Sequence, residues 1–252
     1  MPNIIEVNHL VKYYPGSDQP AVRDLSFAIR RGEIFGFLGP DGAGKTTIIS
    51  LLSGLLKPTS GNAILAGFDL VSQPHEIKHR CKFVPQTPTL IPLLSIQDNL
   101  LLYGRLHGIK NQQLRPRVAE ALQLVGLDAG RRDRVTKQSS GTQRRISLAA
   151  ALLHQPEVLL FDEPTLNVNE VSRDGLLQSV VELNRRGLTV VYATRDAAEA
   201  ARLCHRVALI DQGRIVALDT PHALQNMPGG GLPALESLDA VFVELTGKHL
   251  RG

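Results

Sequence analysis

The chain has 252 residues, 43% of them hydrophobic and 21% charged, with 28 Lys and Arg against 24 Asp and Glu and a formal charge of +4. This is the composition of a globular protein of one large or two small domains, not of a disordered or fibrous chain. Trp is absent and aromatics are 4%, so no platform for stacking single-stranded bases is expected. No run approaches the roughly 18 apolar residues of a membrane span. The start Met1-Pro2-Asn3-Ile4-Ile5-Glu6 lacks a basic region before an apolar core, so no export signal is expected. Cys81 and Cys204 make neither a disulfide framework nor a zinc cluster and read as buried thiols in a reducing cytosol.

Apolar runs alternate with helical periodicity along the chain, which predicts an α/β fold. Ile4–Val11 and Leu25–Ile29 read as strands of an N-terminal sheet, with Pro15-Gly16-Ser17-Asp18 between them. Glu33–Leu38 is a short apolar strand, Gly39–Gly44 a glycine-rich loop, and Lys45–Leu56 a helix. Ala63–Ala66 and Cys81–Pro85 are further strands. From Ser95 to about Gln138 the pattern is helical, broken at Gly108 and Gly126, and helix continues over Ser147–Leu153. A helical block within an α/β chain predicts an inserted subdomain, here about residues 87–150. Glu157–Phe161 and Leu188–Ala193 read as strands, followed by a helix and a hairpin turning at Asp211-Gln212-Gly213. One α/β domain is thus expected over 1–227, a Gly/Pro linker over 228–235, and a short helical tail over 236–252, with helix at Ser237–Leu245.

Two segments carry chemistry. Gly39-Pro40-Asp41-Gly42-Ala43-Gly44-Lys45-Thr46 matches G-x-x-x-x-G-K-[ST] between a strand and a helix. Glycines let successive N–H groups converge on one anion, and the helix that follows adds its positive end. Lys45 is placed to meet β- and γ-phosphates and Thr46 to bind Mg²⁺, with Thr47 beside them. Val158-Leu159-Leu160-Phe161-Asp162-Glu163 is a buried strand ending in two carboxylates. Asp162 suits Mg²⁺, and Glu163 suits a general base acting on water.

These two elements, with the helical block between them, resemble the ATP-binding domain of ABC transporters over almost the whole chain. The flanking segments Arg31–Leu38, Arg206–Leu218 and Ser237–Gly247 resemble the prokaryotic type-2 exporter group that handles drugs, polysaccharides and nodulation factors. The resemblance implies a P-loop NTPase core with an N-terminal antiparallel β subdomain and an inserted α-helical subdomain. It implies adenine stacking by Tyr14 and a contact of Gln86 with Mg²⁺ or water. It places Leu90–Leu94 near the membrane subunit's docking helix.

Three motifs depart from the family pattern. The signature reads Gln138-Ser139-Ser140-Gly141-Thr142, with Ser140 at a glycine position; Ser139, Ser140 and Gly141 would face the opposing subunit's ATP. The D-loop reads Asn167-Val168-Asn169, where an Asp ordinarily ends it. The switch histidine is Arg195, a permanently charged donor in place of a titratable group and the expected third member of the catalytic set with Glu163 and Gln86. Neither His154 nor His205 falls where it could replace that histidine. The implied protein is an ATPase subunit on the cytoplasmic face of the membrane, working with a membrane permease as a homodimer or beside a second ABC ATPase. ATP and Mg²⁺ are the implied ligands, and no nucleic acid partner is expected. The departures either slow hydrolysis or are tolerated; a regulatory subunit with little ATPase activity is the competing reading.

Overall fold

A computed structural model describes residues 2–128, 133–227 and 235–250. Three central strands are wholly buried and mostly apolar, polar only at Asp162 and at Thr189, Tyr192 and Thr194: Ile34–Leu38 (β3), Val158–Asp162 (β7) and Thr189–Thr194 (β8). They cannot present a polar face to water, so both sides of the sheet are covered. Around them lie Asn3–Lys12 (β1), Val22–Arg30 (β2), Ser60–Leu65 (β4), Phe68–Asp69 (β5), Cys81–Val84 (β6), Arg206–Asp211 (β9) and Arg214–Asp219 (β10). The first sheet, ordered β2-β1-β4-β5, is antiparallel. The second is ordered β10-β9-β3-β8-β7-β6; its neighbours are parallel except for the edge hairpin β9–β10.

The helices are Lys45–Leu52 (α1), Pro74–Arg80 (α2), Ile96–Leu106 (α3), Asn111–Leu124 (α4), Ser140–Leu152 (α5), Glu170–Arg185 (α6), Ala197–Leu203 (α7), Pro221–Gln225 (α8) and Leu238–Thr246 (α9). Side-chain alternation on the central strands divides the core in two. Phe35, Phe37, Val158, Leu160, Val191 and Ala193 face α1 and the first sheet. Leu38, Leu159, Phe161, Val190 and Tyr192 face α5, α6 and the rest of the helical block. Phe27 stacks on Phe35 at 5.7 Å and meets the edge of Phe37 at 5.4 Å, joining the two sheets.

Several expected boundaries move. Helix α1 stops at Leu52, not Leu56, because Ser53 closes it through Ile49 O and Gly54 turns left-handed at φ 69°. Among the described residues the block from Ser95 resolves into α3, α4 and a 3₁₀ turn at Val135–Lys137; residues 129–132 of the expected helical stretch lie outside the described residues. Helix α5 begins at Ser140, well before Ser147, because the Ser139 hydroxyl accepts from Thr142 N–H and caps it. Helices α2 and α8 were not expected. The hairpin turn is Gln212-Gly213, both at positive φ (47° and 77°), as a tight two-residue connection requires. Residues 228–234 of the expected linker, and 251–252 of the tail, lie outside the described residues. Both cysteines are free and buried, and burial pushes their thiols well above the ordinary range.

Candidate functional site

Strand order brings the chemistry together. Strand β8 lies between β3 and β7, so the loop after β3, the carboxylates ending β7 and the residue after β8 emerge along one edge of the sheet, at strand C-termini. The Gly39–Gly44 loop is tied to its neighbours by Gly39 N–H to Thr194 O (3.4 Å) and by Gly213 N–H to Ala43 O (2.9 Å). Gly44 enters α1 at φ 105°, and a Cβ there would stand 2.5 Å from Ala21 O, so no side chain fits.

Lys45 is 4% exposed although it carries a full charge. Its ammonium donates to Gly39 O (2.8 Å) and Pro40 O (2.9 Å) and pairs with Glu163 Oε1 at 3.1 Å. All three partners are oxygens, which is what a buried ammonium needs. Asp162 is also buried, and burial pushes its carboxyl above the ordinary aspartate range. A hydrogen bond from the Thr46 side chain opposes this, the Glu163 charge adds to it, and the Lys45 charge opposes it. Glu163 itself sits at φ 43°, a conformation side chains rarely adopt, anchored by its N–H to Ala193 O at 2.9 Å.

These groups open onto one cavity of about 360 Å³, lined also by Asp41, Thr47 and Gln86. Gln86 is exposed on the loop after β6. The loop is held from the helical block by the buried Arg144, whose Nη1 donates to Pro85 O at 3.1 Å. The Tyr14 hydroxyl lies 3.2 Å from Thr47 Oγ1 with its ring 42% exposed, whereas Tyr13 turns to the first sheet through a bond from its N–H to Thr59 Oγ1 (2.9 Å).

The remaining site residues divide. Arg195 reaches the loop: its Nη1 is 2.7 Å from Asp41 Oδ2. Ser139, Ser140 and Gly141 do not line the cavity; they form the N-terminus of α5, where a Cβ on Gly141 would overlap Ser172 of α6. Asn169 caps α6, its Oδ1 accepting from Ser172 N–H at 2.9 Å, a role that asparagine performs as well as aspartate. His205 accepts from Ile34 N–H at 2.8 Å, and His154, pushed down to about 4 mainly by burial, packs edge-on against His107; neither lines the cavity. Sequence reading missed the Asp41–Arg195 pair and the Arg144 bond to the Gln86 loop, since their partners lie 154 and 59 positions apart. Asp41 and Arg144 were visible, but nothing local named what each would meet.

A buried lysine in a glycine loop between strand and helix, facing two carboxylates at the end of a nearby parallel strand, defines a P-loop NTPase. The ABC transporter family matches residues 22–166. The linearmycin resistance ATP-binding protein of Bacillus subtilis is 37% identical over 227 residues, 90% of this chain and 72% of that protein. The Nod factor export ATP-binding protein I of Burkholderia orbicola is 37% identical over 220 residues, 87% of this chain and 72% of that protein. A solved structure described as the ATP-binding subunit of an ABC transporter superposes with TM-score 0.82 at 27% identity, covering 96% of this chain and 99% of that one. The chain belongs to the ABC transporter family, as an ATP-binding subunit.

Proposed function

We propose that the chain is the ATP-hydrolysing motor subunit of an exporter, coupling nucleotide-driven closure of a dimer to movement of a separate membrane permease. The observation that carries this reading is the buried Lys45, poised between its own loop and Glu163. Two of its present partners are neutral carbonyls, which bind an ammonium less strongly than charged phosphate oxygens would. The loop N–H groups and the start of α1 receive the β-phosphate, Lys45 bridges to the γ-phosphate, and the Tyr14 ring carries the adenine. Thr46 and Asp162 present adjacent hard oxygens, the donor type Mg²⁺ selects, and a cation would relieve the cost of the buried Asp162 charge. Thr46, Asp162 and Gln86 are thus the residues to hold Mg²⁺, which would neutralise developing charge on the phosphates. Glu163 accepts the proton of the attacking water, its position fixed by the bond to Ala193 O.

The signature segment does not line this cavity, which supports its supply by a second chain: Ser139–Gly141 of one subunit meets the nucleotide of the other. Among the described residues no helix is long and apolar enough to cross a membrane, so the subunit sits peripherally, held by its permease. Ile91 and Leu93 are exposed next to Leu90, which lines a cavity of about 480 Å³ between core and helical block, and offer apolar contact for that partner. Ser140 adds a side chain where a helix N-terminus must approach phosphate, and Arg195 cannot accept a proton; both slow turnover.

The test is steady-state phosphate release by the chain assembled with its permease. Turnover well below ~10 per second is expected, rising with Ser140→Gly. Ordinary turnover unaffected by that reversion would contradict the slow-motor reading, and ATP hydrolysis indifferent to the permease would contradict coupling.

A further inference from the structure

The charged groups lining the cavity are three carboxylates, Asp41, Asp162 and Glu163, and one lysine. Lys45 is already shared with Glu163, and Asp162 has the Thr46 hydroxyl. Asp41 stands apart from these. It belongs to the loop that must wrap a polyanion, its side chain is 71% exposed, and its ion-pair partner is Arg195 at 2.7 Å. An unpaired carboxylate on a phosphate loop repels the ligand the loop exists to bind. The cation that neutralises it comes from the residue after β8: Arg195 lines a neighbouring cavity with Asp196 and Asp239, not this one, and reaches its rim only through Asp41.

We propose that Asp41 and Arg195 function as one unit, in which Asp41 is a positioning residue that holds the Arg195 guanidinium at the phosphate end of the cavity. The inference rests on the nucleotide-site reading above. In a free surface pair such an interaction contributes little. Beside a polyphosphate the balance changes. Removing the arginine leaves a carboxylate facing several negative charges, whereas removing both members leaves a neutral loop. The guanidinium, directed by Asp41, adds a second cation to Lys45 and compensates charge on the transferring phosphate. The departure at Arg195 is therefore matched within the phosphate loop. Restoring histidine alone strands the Asp41 charge; restoring it with Asp41→Asn removes the conflict.

A double-mutant cycle tests this by calorimetry and phosphate release on the full chain, using Arg195→Ala, Asp41→Asn and the double variant. Arg195→Ala should weaken ATP binding by about tenfold or more and ADP binding less, as expected for an uncompensated charge near the γ-phosphate. Asp41→Asn in that background should return ATP affinity to within about threefold of wild type. Asp41→Asn alone should lower kcat with little change in KM, because the guanidinium stays charged but loses its anchor. Arg195→His should raise turnover only together with Asp41→Asn. Thermal midpoints should stay together across the set, separating this role from a merely structural one. Additive losses with normal ATP binding in wild type would overturn the pairing alone. A wild-type chain that binds no ATP would overturn the site reading and the pairing with it.

Discussion

Lys45→Ala removes measurable ATP binding at ordinary protein concentrations. Among the described residues the ammonium is the one lysine or arginine group lining the cavity, and it is buried against the loop that would enclose the phosphates. Charge-assisted hydrogen bonds to phosphate are about twice as strong as neutral ones. Losing two of them costs about 3 kcal/mol or more, or at least a hundredfold in affinity. The substitution also leaves Glu163 without its 3.1 Å partner, adding an uncompensated charge near the incoming nucleotide. Calorimetric titration with Mg-ATP reads the loss directly. Equal affinity in wild type and variant would remove the loop from the binding site. The fold should survive, because the glycine loop is held by the backbone bonds from Gly39 and Gly213 N–H and not by the lysine alone.

Glu163→Gln separates binding from hydrolysis. The amide matches the carboxylate in shape but cannot take a proton, so the base function is lost while the backbone geometry at φ 43° is kept. Removing a positioned general base costs about 10²–10⁴ in rate. ATP should still bind, and, if the proposed dimer reopens through hydrolysis, more tightly in the presence of the partner chain. Phosphate release assayed beside nucleotide binding distinguishes this from a folding defect. Unchanged turnover would assign the base to another group.

Much of this was legible in the residues because the central strands are unambiguous. Ile34-Phe35-Gly36-Phe37-Leu38 and Val158-Leu159-Leu160-Phe161 can only be strands buried on both faces, and the glycine loop and the carboxylates follow them directly. What escaped notice lacks such a pattern. Helix α2 buries only Ile77, so its sequence shows no apolar period. The start of α5 lies inside the signature, where Ser139 serves as a cap and gives no apolar cue. The ion pair across 154 positions is invisible locally, since it exists only because β8 lies beside β3 in the sheet. Asn169 has a role within the chain that its place in the D-loop does not announce: it caps α6 through Ser172 N–H.

The central claim is that this cavity cleaves ATP as well as holding it, and single-turnover phosphate release tests it most directly. Protein in excess is mixed with Mg-ATP, and phosphate is followed in time for wild type and Glu163→Gln. Wild type is expected to convert all bound ATP slowly to ADP and phosphate, whereas the variant retains its ATP uncleaved. ATP bound by wild type and recovered intact, at the same level as from the variant, would contradict it.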